Sequence, residues 1–321
     1  MAISNSSLFP IQMFSYLIKR VYHSTIEKKS LGKTSKYGSV PAYFNGGMLK
    51  NILQISLIFF HMAALHGITT FEEAMGDGYN PKEHRTSKRF QSLYELCNYE
   101  VVTPSEKPLI PKIIHQIWLG SPVPERFKAM MRSWQEKHPD WEYILWTEET
   151  LKSYKFQNKR AFDTAWNYGA KSDILRYELV EHFGGIYVDV DFECIRPLDP
   201  LVYAHSFFTS IGDYDYVNNA IFGAAPHHPI LQKIVKIVSV IPDHELTGSP
   251  WDNTGPKFFT NQVCRYLKRR NDGIIYPIKF FHPMPNYLRH QYWRGELSSS
   301  FLRSLFIKET FAIHYWAGSW L

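Results

Sequence analysis

Residues 184–191 read Gly-Gly-Ile-Tyr-Val-Asp-Val-Asp and contain both a predicted strand and a pair of carboxylates. The two glycines end the preceding helical stretch, as glycines at helix C-termini do. Ile186 to Asp191 then reads as a strand, in which residues i and i+2 face the same side. Asp189 and Asp191 are therefore predicted to present two carboxylates where the strand leaves its sheet. In open α/β sheets, ligands bind at the carboxyl ends of the strands.

The segments on either side alternate between strand-like and helical patterns. Two apolar runs before the carboxylate pair and three after it read as strands, at 112–118, 141–146, 207–210, 221–224 and 274–278. Helical spacing connects them at 124–138, 160–182, 230–240 and 257–267. This alternation predicts an α/β domain with a mainly parallel, Rossmann-like sheet and flanking helices.

Two oxygen donors with open coordination positions suit Mn²⁺ or Mg²⁺, which keep sites for water and phosphate oxygens. Such an ion would stabilise a departing diphosphate as a Lewis acid. The spacing alone does not establish a metal site, since an Asp-x-Asp is expected about once by chance in a chain of this length. A second one does occur, at residues 213–215. Whether Asp189 and Asp191 form a metal site must therefore be judged from the surrounding motifs.

The net charge of +6 comes from 36 Lys and Arg against 30 Asp and Glu. Residues 1–50 contain seven basic residues and the single acid Glu27, so the remaining residues are electrically balanced. Residues 51–321 carry no net charge and so lack the basic surface of a nucleic-acid-binding protein. We therefore expect no nucleic-acid partner. Three cysteines without a CxxC pair exclude a disulfide framework and a zinc knuckle.

The N-terminal third divides into three predicted parts. Residues 1–47 are basic and lack periodicity, which predicts a disordered extension. Residues 48–67 contain a 14-residue apolar run, which is shorter than a membrane-spanning helix and typical of a signal peptide or weak anchor. Residues 68–107 read as a polar, partly helical connector to a domain at 108–321. We expect the chain to be membrane-associated or exported, or cytoplasmic if 52–65 is a buried or interfacial helix.

Several motifs occur in a defined order: 112–118 (Lys-Ile-Ile-His-Gln-Ile-Trp), 172–177 (Ser-Asp-Ile-Leu-Arg-Tyr), 184–191 and 197–199 (Pro-Leu-Asp). Together they resemble glycosyltransferase family 32, which includes initiating α-1,6-mannosyltransferases and inositol-phosphoceramide mannosyltransferases. More distantly, the motifs resemble the clostridial glucosylating toxins. The resemblance spans about residue 110 to the C-terminus. It implies a GT-A fold, a nucleoside-diphosphate sugar donor, a divalent metal bound by Asp-x-Asp, and retention of anomeric configuration.

The resemblance also implies roles for individual residues. Asp173 and Arg176 lie at i and i+3 on one helix face and would hold the donor sugar's hydroxyls. Tyr187 would reach the ribose, and Trp118 would stack on the nucleobase, unless it is a core side chain. His115 is interpreted as structural.

Further matches lie in the C-terminal half. Asn219 would neighbour the reacting sugar, with a turn residue as the alternative, and Thr254-Gly-Pro256 would begin a helix on the acceptor side. The last eight residues, His314 to Leu321, resemble the family's closing motif and predict a lid. In it, His314 would be a third metal or phosphate ligand, and Ser319 and Trp320 would contact the diphosphate. Removing residues 314–321 is therefore expected to abolish turnover.

The predicted reaction is transfer of a hexose, namely mannose, galactose or glucose, to an acceptor hydroxyl on a glycan or glycolipid. Retention could use a covalent intermediate or attack from the leaving-group face, and we favour the latter because no residue is placed as a nucleophile.

Three alternatives stay open at the level of sequence. One is toxin-like modification of a host protein. Another is a chitinase-like hydrolase that uses Glu193, although such an enzyme needs a barrel of about 250 residues. The third is a non-catalytic module that binds sugar nucleotides.

Overall fold

The computed structural model describes residues 67–76, 79, 87–213 and 216–318. In this part of the chain, six strands form one sheet in the order β2-β1-β3-β6-β5-β7. The strands are β1 (Ile113–Ile117), β2 (Glu142–Trp146), β3 (Gly185–Val188), β5 (Phe207–Asp213), β6 (Tyr216–Ala224) and β7 (Ile274–Tyr276). β6 is antiparallel to both of its neighbours, and the other pairs are parallel. The predicted α/β class and mainly parallel sheet are confirmed.

A second, two-stranded sheet pairs β4 (Phe192–Cys194) with β8 (Ala312–His314). The strands are antiparallel, and Phe192 lies opposite His314. Because β4 begins directly after Asp191, this pairing brings a residue from the C-terminal part of the chain next to the carboxylate motif. A contact across more than 100 residues is thus fixed by backbone hydrogen bonds.

The described residues form helices both before and after the carboxylate motif in the sequence. They are α1 (Phe71–Met75), α2 (Ser87–Cys97), α3 (Glu125–Lys137), α4 (Lys159–Thr164), α5 (Tyr168–Phe183), α6 (Asp199–Ala204), α7 (Pro229–Val238), α8 (Asp243–Leu246), α9 (Pro250–Asn253), α10 (Pro256–Leu267), α11 (Arg289–Trp293) and α12 (Ser299–Ser304). Short 3₁₀ turns occur at Thr150–Ser153, Ile278–Phe280 and Asn286–Leu288.

Helix α5 is buried on most of its circumference, including its polar residues Asp173, Arg176 and Glu178. It packs on β1, β3 and β6 and on the helices α4 and α7. Asn167 begins the helix, since its side chain accepts a hydrogen bond from the amide of Ala170 at 2.8 Å. Gly184, at φ +67°, ends it. A central helix with charged buried residues needs polar partners within the protein.

Two sequence-based expectations were wrong in detail. The helix predicted over 160–182 is two helices, α4 and α5, because Asn167 caps a new start after a break at 165–167. Strand β3 ends at Val188, so Asp189 to Asp191 form a turn between β3 and β4 rather than part of a strand. The turn, not strand alternation, brings the two carboxylates together.

The predicted connector at 68–107 contains α1 and α2. α2 packs against β7, and Phe71, Leu93 and Tyr94 are buried in the main hydrophobic core. The described residues between 70 and 99 thus belong to the same compact unit as the described residues from 104 onward. The division into domains otherwise stays a prediction.

The basic extension, and the apolar segment at 48–67 except for Gly67, lie outside the described residues. In the part of the chain that is described, no helix has the length and apolar character needed to cross a membrane.

Candidate active site

A cleft of about 860 Å³ opens beside the C-terminal ends of β1 and β3. Its lining comes from the turn after β3, the first half of α5, the start of β6 and the segment after β8. Eight of the residues singled out from the sequence line it: Trp118, Asp173, Arg176, Tyr187, Asp189, Asp191, Asn219 and His314. The cleft lies where the sequence predicts a ligand site.

Asp189, Asp191 and His314 converge at one end of the cleft. One ligand atom from each lies within 4.8 Å of the others. The imidazole of His314 stacks on the ring of Phe192, with 4.1 Å between ring centroids, so β4 orients the histidine. No described residue makes a hydrogen bond with His314 Nδ1, although that atom is buried.

Asp191 is tied to the C-terminal segment. Its Oδ2 accepts a hydrogen bond from the amide of Ala317 at 2.7 Å and lies 3.3 Å from His314 Nε2. Burial favours the neutral acid, but the neighbouring imidazole and the Ala317 amide outweigh it and lower the pKa of Asp191. Asp191 is therefore held as a carboxylate, the form that binds a metal.

The three side chains fit a divalent metal. Two carboxylates and one imidazole form a mixed oxygen and nitrogen set that Mn²⁺ accepts, and three protein ligands leave room for phosphate oxygens. The close approach of the half-buried carboxylate of Asp189 to the buried carboxylate of Asp191 also calls for a positive charge. These residues would hold the ion at the edge of the cleft.

Arg176 lies between Asp189 at one end of the cleft and Asp173 further along it. The buried guanidinium lies 3.3 Å from Asp189 Oδ1 and 3.4 Å from Asp173 Oδ1. It also donates to the backbone oxygen of Asn219 at 2.9 Å and lies over the ring of Tyr187, 4.4 Å from its centroid. A planar fork with five donors can make all of these contacts at once. Arg176 thus fixes the separation of the two carboxylates.

Asp173 is held by a network of its own. Its Oδ1 accepts from Asn219 Nδ2 at 2.8 Å, and its Oδ2 accepts from the Thr254 hydroxyl at 3.1 Å. Burial raises the pKa of Asp173 to about 6, although Arg176 and Asn219 oppose the shift. The carboxyl group therefore titrates close to neutral pH.

Trp118 follows β1 at the rim of the cleft and is half-buried. Its ring packs on Phe127 at 5.3 Å, and its Nε1 donates to the Ser121 hydroxyl at 3.3 Å. Nearby, the ring of Tyr168 covers Gly120, where an added Cβ would lie 2.3 Å from a ring carbon. Two aromatic side chains thus line this part of the cleft.

Comparison with known proteins agrees with this geometry. Residues 124–208 match the family described as "Glycosyltransferase sugar-binding region containing DXD motif". Over these residues the chain resembles the DXD-containing glycosyltransferases. The matched region includes α5, β3 and the Asp189 to Asp191 turn, and it ends at the start of β5. The resemblance drawn from the sequence motifs is confirmed.

Two curated relatives of this chain come from yeasts. Inositol phosphoceramide mannosyltransferase 1 of Schizosaccharomyces pombe is 32% identical over 193 residues, which are 57% of this chain and 60% of the relative. A mannosyl phosphorylinositol ceramide synthase of Saccharomyces cerevisiae is 35% identical over 176 residues, 52% of this chain and 44% of the relative. The similarity thus spans about half of the length of these relatives.

Among solved structures, the PaToxG glycosyltransferase is 17% identical to this chain. The likeness covers 71% of this chain and 98% of the other, with a TM-score of 0.41.

Three residues of the site were missed at the level of sequence. The hydroxyl of Tyr177 donates to the Thr254 carbonyl at 2.7 Å and accepts from Asn219 Nδ2 at 2.9 Å. Its position four residues after Asp173, on the same helix face, is a signal that could have found it. Gln116 donates to the Asp189 carbonyl at 3.2 Å, and its place two residues before Trp118 was a similar signal. The third is Ala317, which contacts Asp191 through its backbone amide, so its residue type could not have indicated this role.

Other predicted residues lie elsewhere. His115 is buried within the sheet, where it accepts from Trp146 Nε1 at 3.1 Å and bonds the Gly184 carbonyl at 2.9 Å, in line with its structural interpretation. Glu193 accepts a hydrogen bond from the Tyr315 hydroxyl and is not among the residues that line the cleft, and the described sheet is open rather than an eight-stranded barrel. Ser319 and Trp320 lie outside the described residues.

Proposed function

We propose that the protein transfers a hexosyl group from a nucleoside-diphosphate sugar to an acceptor hydroxyl with the help of a divalent metal. The observation that carries this proposal is the bridge of Arg176 between Asp173 and Asp189. It couples a carboxylate suited to sugar hydroxyls with a carboxylate suited to a metal, inside one cleft. A donor with a hexose at one end and a diphosphate beside it matches that arrangement.

In this proposal, Asp189, Asp191 and His314 hold Mn²⁺ or Mg²⁺, which supplies positive charge where the diphosphate leaves. Asp173 and Arg176 orient the hexose through its hydroxyls, while Asn219 fixes the Asp173 carboxylate. Trp118 supports the nucleobase, and Tyr187 reaches the ribose. The segment from Tyr315 to Gly318 covers the cleft and excludes water.

The names of the relatives favour mannose as the hexose and an inositol-phosphate lipid as the acceptor. We propose GDP-mannose as the first donor to test, with UDP-galactose and UDP-glucose as competitors. Membrane association through residues 48–67 stays a prediction, since almost all of that segment is outside the described residues.

Retention is proposed to proceed by attack of the acceptor from the leaving-group face. The carboxylate nearest to the proposed sugar position, Asp173, is already engaged by Asn219, Thr254 and Arg176. A group held in this way is suited to orientation rather than to forming a glycosyl-enzyme bond.

Hydrolysis of the three donors in the presence of Mn²⁺ tests the proposal. We expect one donor to be consumed, with release of the nucleoside diphosphate and a free hexose that has the donor's anomeric configuration when first detected by NMR. If none of the donors is consumed by a folded protein, with or without the candidate acceptor, this function is contradicted.

The pKa of Asp173 predicts how donor affinity changes with pH. The carboxylate accepts hydrogen bonds above about pH 6 and loses its charge below it. We therefore expect the KM for donor to rise about tenfold between pH 7 and pH 5 at saturating Mn²⁺, as a single titration requires. In Asp173→Asn, KM should be high and unchanged over this range. A constant KM in the unmodified protein would contradict the role of Asp173.

Removal of residues 315–321 tests the covering segment while it leaves His314 in place. The truncation deletes the amides of Tyr315 and Ala317, which donate to Asp191, and the Trp316 indole, which donates to the Met284 carbonyl at 2.7 Å. We expect turnover to fall by at least about 100-fold, since the site loses both donors to Asp191 and its cover. Trp316→Phe, which keeps the backbone donors, should retain most of the activity. Full activity after truncation would show that the segment has no catalytic role.

A further inference from the structure

Two tryptophans in the wall of the cleft are exposed. Trp166 is 62% exposed and Trp251 is 39% exposed, and both line the cleft. Large exposed aromatic faces inside a concave site are costly to leave in water and are typical of binding surfaces. The proposed donor site uses neither of them.

Both rings are held in place by polar or aromatic contacts. Trp166 Nε1 donates to the Gly248 carbonyl at 2.9 Å. The ring of Trp251 meets that of Tyr216 edge to face, with 4.9 Å between centroids and an interplanar angle of 71°. A ring that is already fixed loses little conformational freedom when a ligand stacks on it. The wall is therefore organised before any ligand arrives.

The segment that contains Trp251 also contacts Asp173 through a hydrogen bond. Trp251 lies in α9, and Thr254, which follows α9, donates its hydroxyl to Asp173. At Gly255, an added Cβ would lie 3.2 Å from Asp173 Oδ2 and 3.4 Å from the Cα of Trp251. The indole wall thus adjoins the carboxylate that is proposed to hold the donor hexose. An acceptor hydroxyl must reach that hexose from a neighbouring position.

We infer that Trp166 and Trp251 form the acceptor subsite, and that its occupant is a polyhydroxylated six-membered ring, either a hexopyranose or a cyclitol. This inference rests on the proposed function. Such a ring has an apolar face of C–H groups that stacks on indole, and hydroxyls at its edge that need polar partners. Ser249 and Asn218 line the same cleft and supply hydroxyl and amide groups. A wall for an acyl chain would be continuously apolar instead.

Saturation-transfer NMR with free myo-inositol and methyl α-mannopyranoside tests the subsite directly. The unmodified protein, with Mn²⁺ and the nucleoside diphosphate, should bind at least one of the two. We expect the double variant Trp166→Ala/Trp251→Ala to weaken that binding by at least about tenfold, and Trp251→Phe to retain most of it. Phe301→Ala is the matched control, because Phe301 is 40% exposed and does not line the cleft. Circular dichroism and thermal unfolding establish that each variant is folded.

Several results would overturn the inference. One is equal binding by the unmodified protein and the folded double variant, and another is failure of both ligands to bind the unmodified protein. A third is loss of flotation with phospholipid vesicles in the double variant while ligand binding is unchanged, which would assign the tryptophans to a lipid surface.

Donor consumption by the unmodified protein, measured without acceptor, separates this inference from the proposed function. If a donor is consumed but the double variant binds myo-inositol or the mannoside as well as the unmodified protein does, the acceptor subsite is contradicted and the proposed function is not. If ligand binding depends on the two tryptophans but no donor is consumed, the proposed function alone is contradicted.

Discussion

Asp191→Asn is expected to lower kcat by about 10³-fold, because it removes a charged ligand from the site that is proposed to stabilise the leaving diphosphate. The amide keeps one oxygen, which can still accept the hydrogen bond that Ala317 donates to Asp191. The C-terminal segment should therefore stay in place. Turnover of donor at a series of Mn²⁺ concentrations measures the effect, and the variant should not recover at high Mn²⁺.

Asp163→Asn is the matched control, since Asp163 is a carboxylate on α4 that pairs with Lys159 outside the cleft. It should be as active as the unmodified protein. If Asp191→Asn were folded and had more than about a tenth of the unmodified kcat, Asp191 would not be a metal ligand in the reaction.

Arg176→Lys is expected to lower kcat/KM for donor by about 100-fold. Lysine retains one positive charge, but its single ammonium cannot bridge Asp173, Asp189 and the Asn219 carbonyl as the guanidinium does. Hydrogen bonds to charged groups contribute about 1.5–3 kcal/mol each, so losing one or two of them accounts for a change of this size. Steady-state kinetics with the preferred donor measures it.

Arg160→Lys is the control for this change. Arg160 also pairs with a carboxylate, Asp243, and donates to the Ser239 and Ile241 carbonyls, but it lies on the exposed surface of α4. Thermal unfolding of both variants separates loss of stability from loss of donor binding, because weaker pairing of the buried Asp173 and the half-buried Asp189 also destabilises the fold. Unchanged kcat/KM in a folded Arg176→Lys would show that the bridge has no part in donor recognition.

Much of the fold could be predicted because its signals are local. The apolar runs around residues 113–117, 142–146 and 185–188 are strands in the structure, and helical spacing located α3, α7 and α10 within two residues at each end. The glycine pair at 184–185 marks the end of α5 correctly, since Gly184 has a positive φ that disfavours other residues. The parallel sheet follows from the alternation of these elements.

The parts that could not be predicted depend on contacts between distant residues. Asn219 lies in an antiparallel strand of which the apolar run in the sequence indicates only residues 221–224, because the polar side chains of Asn218 and Asn219 interrupt the apolar pattern on a buried strand. Asn219 is stable there because Asp173 and Tyr177 on α5 are its hydrogen-bond partners. The Asp191 to Ala317 contact depends on the pairing of β4 with β8 and has no local signal.

Donor consumption with and without a divalent ion is the most direct test of the proposed metal site at Asp189 and Asp191. We expect the purified protein to consume its preferred nucleoside-diphosphate hexose, EDTA to stop the reaction, and Mn²⁺ or Mg²⁺ to restore it in the unmodified protein but not in Asp191→Asn. Donor consumption that continues at the same rate in EDTA, and in Asp191→Asn, would contradict the proposed metal site.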